Sequence, residues 1–246
     1  MLDIWAMNNR EVFTKIYEEK IWGKGTPSSP LSGAGSHPDM SLPYLQFVKS
    51  TIQSNGIKTV FDFGHGDWAM WRDYQFEDVS YVGVDTAVGL SERVGAIYGN
   101  SRRTFRPSSE FKVALPEAEL FISKEVFQHL SNSDVHSVLQ QLTQFKYVIL
   151  CNGYYSKSLY IERLKYWLQI RVRLRRFLSR GNPFYPAKPL KNNAEIHSGD
   201  FRGVDLESSP FSEFLTQHRL VSKFDFPGRK GSAVNFRTYF YVRNLA

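Results

Sequence analysis

The stretch Val60-Phe61-Asp62-Phe63-Gly64-His65-Gly66-Asp67-Trp68, followed by Tyr81-Val82-Gly83-Val84-Asp85, constrains this chain more than any other. An apolar run, a two-glycine turn, a polar helix start and a second apolar run ending in an acid describe a strand, a turn, a helix start and a strand. Glycine lacks a Cβ, so the backbone at Gly64 and Gly66 can turn tightly and approach a ligand closely. Asp85 closes the second strand. A carboxylate there can accept hydrogen bonds from both hydroxyls of a ribose.

Two cofactor classes fit this layout. Gly64-x-Gly66-x-x-Ala69 satisfies the loose dinucleotide fingerprint, so a nicotinamide-dependent oxidoreductase is one alternative. Three details weigh against it. Asp62 precedes the first glycine inside the strand, where an acid suits an ammonium-bearing ligand. Asp67 follows the second glycine, where a helix N-terminus would otherwise receive a phosphate. The glycine turn also comes after a long polar N-terminal segment. S-adenosylmethionine carries a sulfonium and an ammonium and no phosphate, and it fits the acids better.

Periodicity predicts an alternating α/β chain. Residues 9–24 read as a helix, with Phe13, Ile16, Tyr17 and Ile21 on one side, and 25–39 as a Gly/Ser/Pro loop. A helix over 41–55 leads into a strand at Thr59 to Phe63. Strands at Tyr81 to Val84, 103–106, Leu120 to Ser123 and Tyr147 to Cys151 alternate with helices near 88–98 and 131–144. Such alternation gives a mostly parallel sheet with helices on both faces. Leu220 to Phe226 and Asn235 to Val242, joined by Pro227-Gly228-Arg229-Lys230-Gly231, read as an antiparallel hairpin. The organisation is a helical cap with its loop (1–45), a cofactor core (46–153), a basic helical insertion (154–192) and the C-terminal part of the core (193–246), in which a final helix follows Arg202 and Asp205 and precedes the hairpin.

The pattern D-x-G-x-G-D-W, then Y-x-G-V-D, resembles the class I S-adenosylmethionine-dependent methyltransferases. More of the chain is similar to a small bacterial subgroup often associated with sugar and cell-envelope biosynthesis. The stretch Pro116 to Asn132, with Glu125-Val126-Phe127-Gln128-His129-Leu130-Ser131, matches its fourth strand and following helix. Ile16-Tyr17…Trp22-Gly23, Ser32-Gly33-Ala34-Gly35-Ser36 and Asn193-Ala194-Glu195-Ile196…Gly199…Arg202…Asp205-Leu206…Pro210-Phe211 match its other motifs. The resemblance implies a Rossmann-like fold, a seven-stranded sheet finished by the C-terminal hairpin, and methyl transfer from S-adenosylmethionine. O-methylation of a saccharide or phosphorylated envelope precursor is the activity it implies. The chain departs from the pattern at three places. His65 stands where Cys is common, Ser108 or Ser109 where an adenine-binding acid is common, and Lys124-Glu125 where Arg-Asp is common.

Ligands of open α/β sheets bind at the carboxyl ends of the strands. The cofactor candidates there are Asp62, Gly64, His65, Gly66, Asp67, Trp68, Asp85, Thr86, Ser108, Ser109 and Lys124. A hydroxyl acceptor needs a base, because a protonated alcohol is a poor nucleophile. His129 is the candidate, one helical turn after Glu125, which could orient it; packing at the helix start is the plainer alternative. Asp67 either lines the methionine end of the cofactor or caps the following helix. Trp68 and Trp71 either wall the sulfonium or belong to the core. Tyr154, Asn193, Arg202 and Asp205 are the acceptor-binding candidates, with an Arg–Asp loop clamp as the alternative for the last two. The loop Ser32 to Ser36 can close over the cofactor, its glycines acting as a hinge.

The chain has 246 residues and 42% hydrophobic content, enough for one core. Its lone Cys151 and the lack of ligand spacing predict no disulfide and no metal. No signal peptide or membrane span is visible, which predicts a cytoplasmic protein. The net charge of +7 is concentrated: residues 157–180 hold eight Lys or Arg and one acid, Glu162. At helical spacing Lys165, Gln169, Arg173, Arg176 and Arg180 share one arc. This helix is read as a solvated cover, as a grip on an anionic substrate, or as a contact with an anionic membrane or envelope-biosynthesis complex at its inner face. Nucleic acid is disfavoured, because no aromatic platform accompanies the basic run. A catalytically weak scaffold that binds a membrane complex through this segment is the non-enzyme alternative.

Overall fold

The computed structural model describes residues 8–244 except 75, 77, 109–116, 156–190, 214 and 229–233. The basic segment 157–180 and Ser109 therefore lie outside the described residues. Among the described residues, four α-helices, α1 (Asn9–Glu18), α2 (Pro38–Asn55), α3 (Leu90–Tyr98) and α4 (Asn132–Gln141), accompany seven strands. The strands are β1 (Thr59–Phe63), β2 (Ser80–Asp85), β3 (Arg103–Pro107), β4 (Leu120–Lys124), β5 (Tyr147–Tyr154), β6 (His218–Pro227) and β7 (Asn235–Arg243). They form one sheet in the order β3-β2-β1-β4-β5-β7-β6. Strands β1 to β5 run parallel, and β7 pairs antiparallel with both β5 and β6. This is a Rossmann-like sheet with the expected C-terminal hairpin.

Local chemistry explains the helix boundaries. Asn8 and Glu11 form a reciprocal capping box at the start of α1. Pro38 begins α2, and Gly56, at φ 61°, ends it in the left-handed region. Ser131 caps α4 by accepting from the Asp134 amide at 3.1 Å. Strands β4 and β5 are buried at every position, as central parallel strands must be. Phe61, Phe63, Phe121 and Phe145 fill the core beside them with ring centroids 5.2–6.0 Å apart.

Two expected helices are absent. After the glycine turn the chain makes only a three-residue 3-10 turn, Ala69–Trp71, and Trp68 adopts a left-handed φ of 58°. Packing decides this. Trp68 and Trp71 are both fully buried, and the Trp68 indole donates to the Tyr81 hydroxyl at 3.0 Å. After Asp205 the chain forms turns rather than a final helix. There the Asn193 amide donates to the carbonyls of Asp205, Ser208 and Ser209, which a helix would need for itself.

Candidate active site

The carboxyl ends of β1, β2 and β4 border an open cleft with about 790 Å³ of empty space. Gly64 and Gly66 form its floor, at φ 80° and 60°. A Cβ on Gly64 would strike the Val126 side chain, and one on Gly66 would strike Ser32 Oγ. Asp85 lies across from them. Its Oδ2 accepts from the Gly66 amide at 3.0 Å and its Oδ1 from the Ala87 amide at 3.0 Å. These two bonds fix the carboxylate plane and leave further lone pairs for a ligand.

The roof comes from the N-terminal segment. Phe13 and Tyr17 of α1, with Trp22, Ser32 and Ser36 of the following loop, line the cleft. Ser32 Oγ contacts the Tyr17 hydroxyl at 2.9 Å and accepts from the Asp67 amide at 2.7 Å. Asp67 in turn accepts from the Leu31 amide at 2.6 Å and, at 3.4 Å, from the Ala69 amide. It therefore both lines the cleft and caps the 3-10 turn. Lys124 donates to the Gly35 carbonyl at 2.8 Å and forms an ion pair with Glu125. Glu125 itself sits at φ 60°, uncommon for a residue with a side chain.

The structure brings most of the predicted cofactor residues together. Gly64, His65, Gly66, Asp67, Trp68, Asp85, Thr86, Ser108 and Lys124 all line the cleft, as do Glu125 and His129. Asp62 does not. Its carboxylate is buried, accepting from the Tyr81 hydroxyl at 2.6 Å and the Trp71 indole at 3.2 Å. Burial pushes its pKa up to about 7, against the pull of those two hydrogen bonds. Trp71 is likewise core rather than cleft wall. His65 is locked by both ring nitrogens, to the Gly66 carbonyl at 2.7 Å and to Ser91 Oγ at 2.9 Å.

The expected Glu125–His129 pairing is not formed. Glu125 engages Lys124, and the intervening chain is a 3-10 turn, Phe127–His129, not an α-helix. His129 Nδ1 instead meets the Asp200 carbonyl at 2.7 Å. The Trp22 ring lies 4.6 Å from the imidazole. Burial drives the His129 pKa down to about 4; the Asp200 carbonyl and Glu125 oppose the shift, and Arg202 adds to it.

The predicted acceptor-binding residues also lie elsewhere. Tyr154, Asn193, Arg202 and Asp205 do not line the cleft. Tyr154 is buried under the Arg237 guanidinium at 3.5 Å. Asp205 accepts from the Tyr239 hydroxyl at 3.0 Å and from Ser208 Oγ at 2.9 Å. Arg202 is fully buried, and its Nη1 donates to the Leu130 carbonyl. Phe13 and Ser36 were not singled out as site residues from sequence, and neither was Gln128. For Phe13 the signal was available, since Phe13 and Tyr17 stand one helical turn apart on α1.

At the sequence level no family profile and no curated protein matches the chain. Solved structures do match in fold. An S-adenosylmethionine-dependent methyltransferase from Leishmania major superposes with a TM-score of 0.63 at 10% identity, covering 96% of this chain and 87% of its own. Magnesium protoporphyrin IX methyltransferase from Synechocystis, with bound S-adenosylhomocysteine, gives 0.57 at 15% identity over 96% and 98% of the two chains. The N-methyltransferase NodS from Bradyrhizobium japonicum, also with S-adenosylhomocysteine, gives 0.55 at 9% identity over 85% and 89%. The chain thus has the Rossmann-like fold of S-adenosylmethionine-dependent methyltransferases.

Proposed function

We propose that this protein is an S-adenosylmethionine-dependent methyltransferase whose acceptor atom is a hydroxyl oxygen, with saccharides as the acceptor class. The observation that carries the cofactor reading is Asp85, fixed beside Gly64 and Gly66 at the floor of the cleft. A carboxylate there suits a ribose, and the glycines let the rest of the cofactor lie against the backbone. Charge supports the same reading. Asp67, Asp85 and Glu125 line the cleft against one lysine, Lys124, so the lining favours a cation. Thr86 Oγ1 is buried without a protein partner in the cleft wall, a polar atom fit to meet a nucleoside.

A pyrophosphate fits poorly. It needs the N-terminus of a helix after the glycine turn, and this chain has a three-residue 3-10 turn preceded by Asp67. The nicotinamide alternative loses its anion site in this way. The hydroxyl reading rests on His129, an imidazole on the cleft wall that burial keeps neutral, and so able to accept a hydrogen bond from an acceptor hydroxyl. S-adenosylmethionine, when bound, supplies an electrophilic methyl group. Asp85 and the glycines orient the cofactor, Tyr17 and Trp22 cover it, and His129 orients the acceptor hydroxyl by a hydrogen bond. A phosphate on the acceptor would have to sit outside the described lining, because Lys124 is already paired with Glu125.

Calorimetric titration with S-adenosylhomocysteine tests the cofactor. A charged hydrogen-bond partner is worth roughly 1.5–3 kcal/mol, so Asp85→Ala is expected to weaken binding about 10- to 100-fold. Absence of binding to the unmodified protein overturns the reading. Release of S-adenosylhomocysteine on incubation with S-adenosylmethionine and a saccharide panel then separates an enzyme from a scaffold.

A further inference from the structure

His129 sits on a backbone that is held at three successive carbonyls. The Arg202 amide donates to the Gln128 carbonyl at 3.1 Å, and the Gly199 amide to the His129 carbonyl at 2.8 Å. Arg202 Nη1 donates to the Leu130 carbonyl at 2.5 Å. One loop, Gly199 to Arg202, therefore grips the whole turn that carries the imidazole. The same loop supplies the Asp200 carbonyl that faces Nδ1 at 2.7 Å. A buried side chain grips the other nitrogen: Gln128 Nε2 lies 3.2 Å from His129 Nε2.

We propose that Gln128 and the Gly199–Arg202 loop are positioning elements that hold His129, a residue of the cleft wall, in a single tautomer with Nδ1 protonated and Nε2 unprotonated. Two independent partners require it. A carbonyl oxygen only accepts, so Nδ1 facing Asp200 must donate. A backbone amide only donates, and the Gly153 amide meets Gln128 Oε1 at 2.6 Å. That contact fixes the orientation of the Gln128 amide and turns its NH2 group toward His129. An NH2 group has no lone pair to offer, so His129 Nε2 must accept. Protonating Nε2 would set two donors against each other in a buried site, which costs the desolvation of both.

The tautomer matters for what reaches the cleft. Trp22 packs at 4.6 Å and Phe201 at 5.6 Å from the imidazole centroid, so the ring cannot swing away. Since His129 lines the cleft, its tautomer decides which ring nitrogen can donate and which can accept there. Arg202 and Gln128 act through His129 and do not touch the acceptor. The purpose of the device rests on the proposed methyl transfer; its geometry does not.

Long-range proton–nitrogen NMR correlation on protein labelled at its six histidines reads the tautomer directly. The His129 signals are assigned by their loss in His129→Asn. The expected pattern is a protonated Nδ1 and an unprotonated Nε2 at neutral pH. An Nε2-protonated ring, or averaging between two tautomers, overturns the proposal. Gln128→Glu keeps the acceptor for Gly153 and replaces the donor facing His129 by an acceptor. It is expected to protonate Nε2 at neutral pH, and an unchanged ring rules Gln128 out. Should that variant not fold, Gln128→Met is expected to move the Nε2 resonance toward that of an unbonded nitrogen, and no movement overturns the role. Failure to bind S-adenosylhomocysteine alongside the expected tautomer would remove the enzyme reading and leave the device standing.

Discussion

Asp62 and His129 illustrate how burial, more than charge partners, sets the chemistry of single residues in this fold. Asp62 has its pKa raised to about 7 inside the sheet. A raised carboxylate contributes stability that is full below the unfolded value and is lost as pH rises through the folded one. Stability from this group therefore falls between about pH 4 and pH 7. His129 works in the opposite sense. Its pKa is lowered to about 4, so its contribution is present above the unfolded value and lost as pH falls through that window. Asp62→Asn is expected to leave the His129 contribution unopposed, so that stability rises more steeply with pH between about 4 and 7 than in the unmodified protein, read from denaturation midpoints across that range. An unchanged slope in the variant would place the titration elsewhere. Sequence could not separate Asp62 from Asp67 or Asp85, because strand pattern does not say which acid faces a cleft. Asp62 is taken up by Tyr81 and Trp71, nineteen and nine positions away in the chain.

At the scale of elements, the roof over the cleft is a chain of specific bonds. Tyr17 of α1, Ser32 of the loop and Asp67 of the glycine turn form one hydrogen-bonded series, and Asp67 also holds the Leu31 amide. Asp67→Ala is expected to speed hydrogen exchange at the Leu31 amide by about 10-fold or more, as a charge-assisted bond is lost. Unchanged exchange would mean that the loop is held by packing alone. A second prediction concerns Gly35. A Cβ there would strike the Glu125 carboxylate, so Gly35→Val is expected to break the Lys124–Glu125 pair, lift the loop and weaken S-adenosylhomocysteine binding. Calorimetry checks it, and unchanged binding would overturn it. Sequence did expose the strands and the hairpin, because alternation and turn residues are local signals. It failed where long-range packing overrides local preference. Trp68 and Trp71 are drawn into the core beside Tyr81, so only a 3-10 turn fits where a helix start was read. Asn193 claims the carbonyls after Asp205, so the final helix becomes turns.

Across the whole molecule, charge and topology are unevenly spread. The net charge of +7 equals that of residues 157–180 alone. We propose that this segment contacts an anionic membrane surface, where each basic residue contributes about 1 kcal/mol. No described helix is long and apolar enough to cross a membrane. Replacing Arg173, Arg176 and Arg180 by Gln is expected to reduce cosedimentation with anionic vesicles and to leave neutral vesicles unaffected. Equal sedimentation of both proteins removes the proposal.

Topology has a consequence for how the chain is made. Strand β7 follows β6 in the sequence, yet it lies between β5 and β6 in the sheet. As the polypeptide leaves the ribosome, β6 emerges with no strand to join, and the fully buried β5 keeps one edge bare. Both must wait for Asn235–Arg243. Until those residues are synthesised, the nascent chain offers an unpaired apolar edge to any neighbouring strand, the state in which aggregation competes with folding. Stalling translation just short of residue 235 should therefore yield a chain that needs chaperones, while synthesis and emergence of Asn235–Arg243 let the sheet close upon itself in one step.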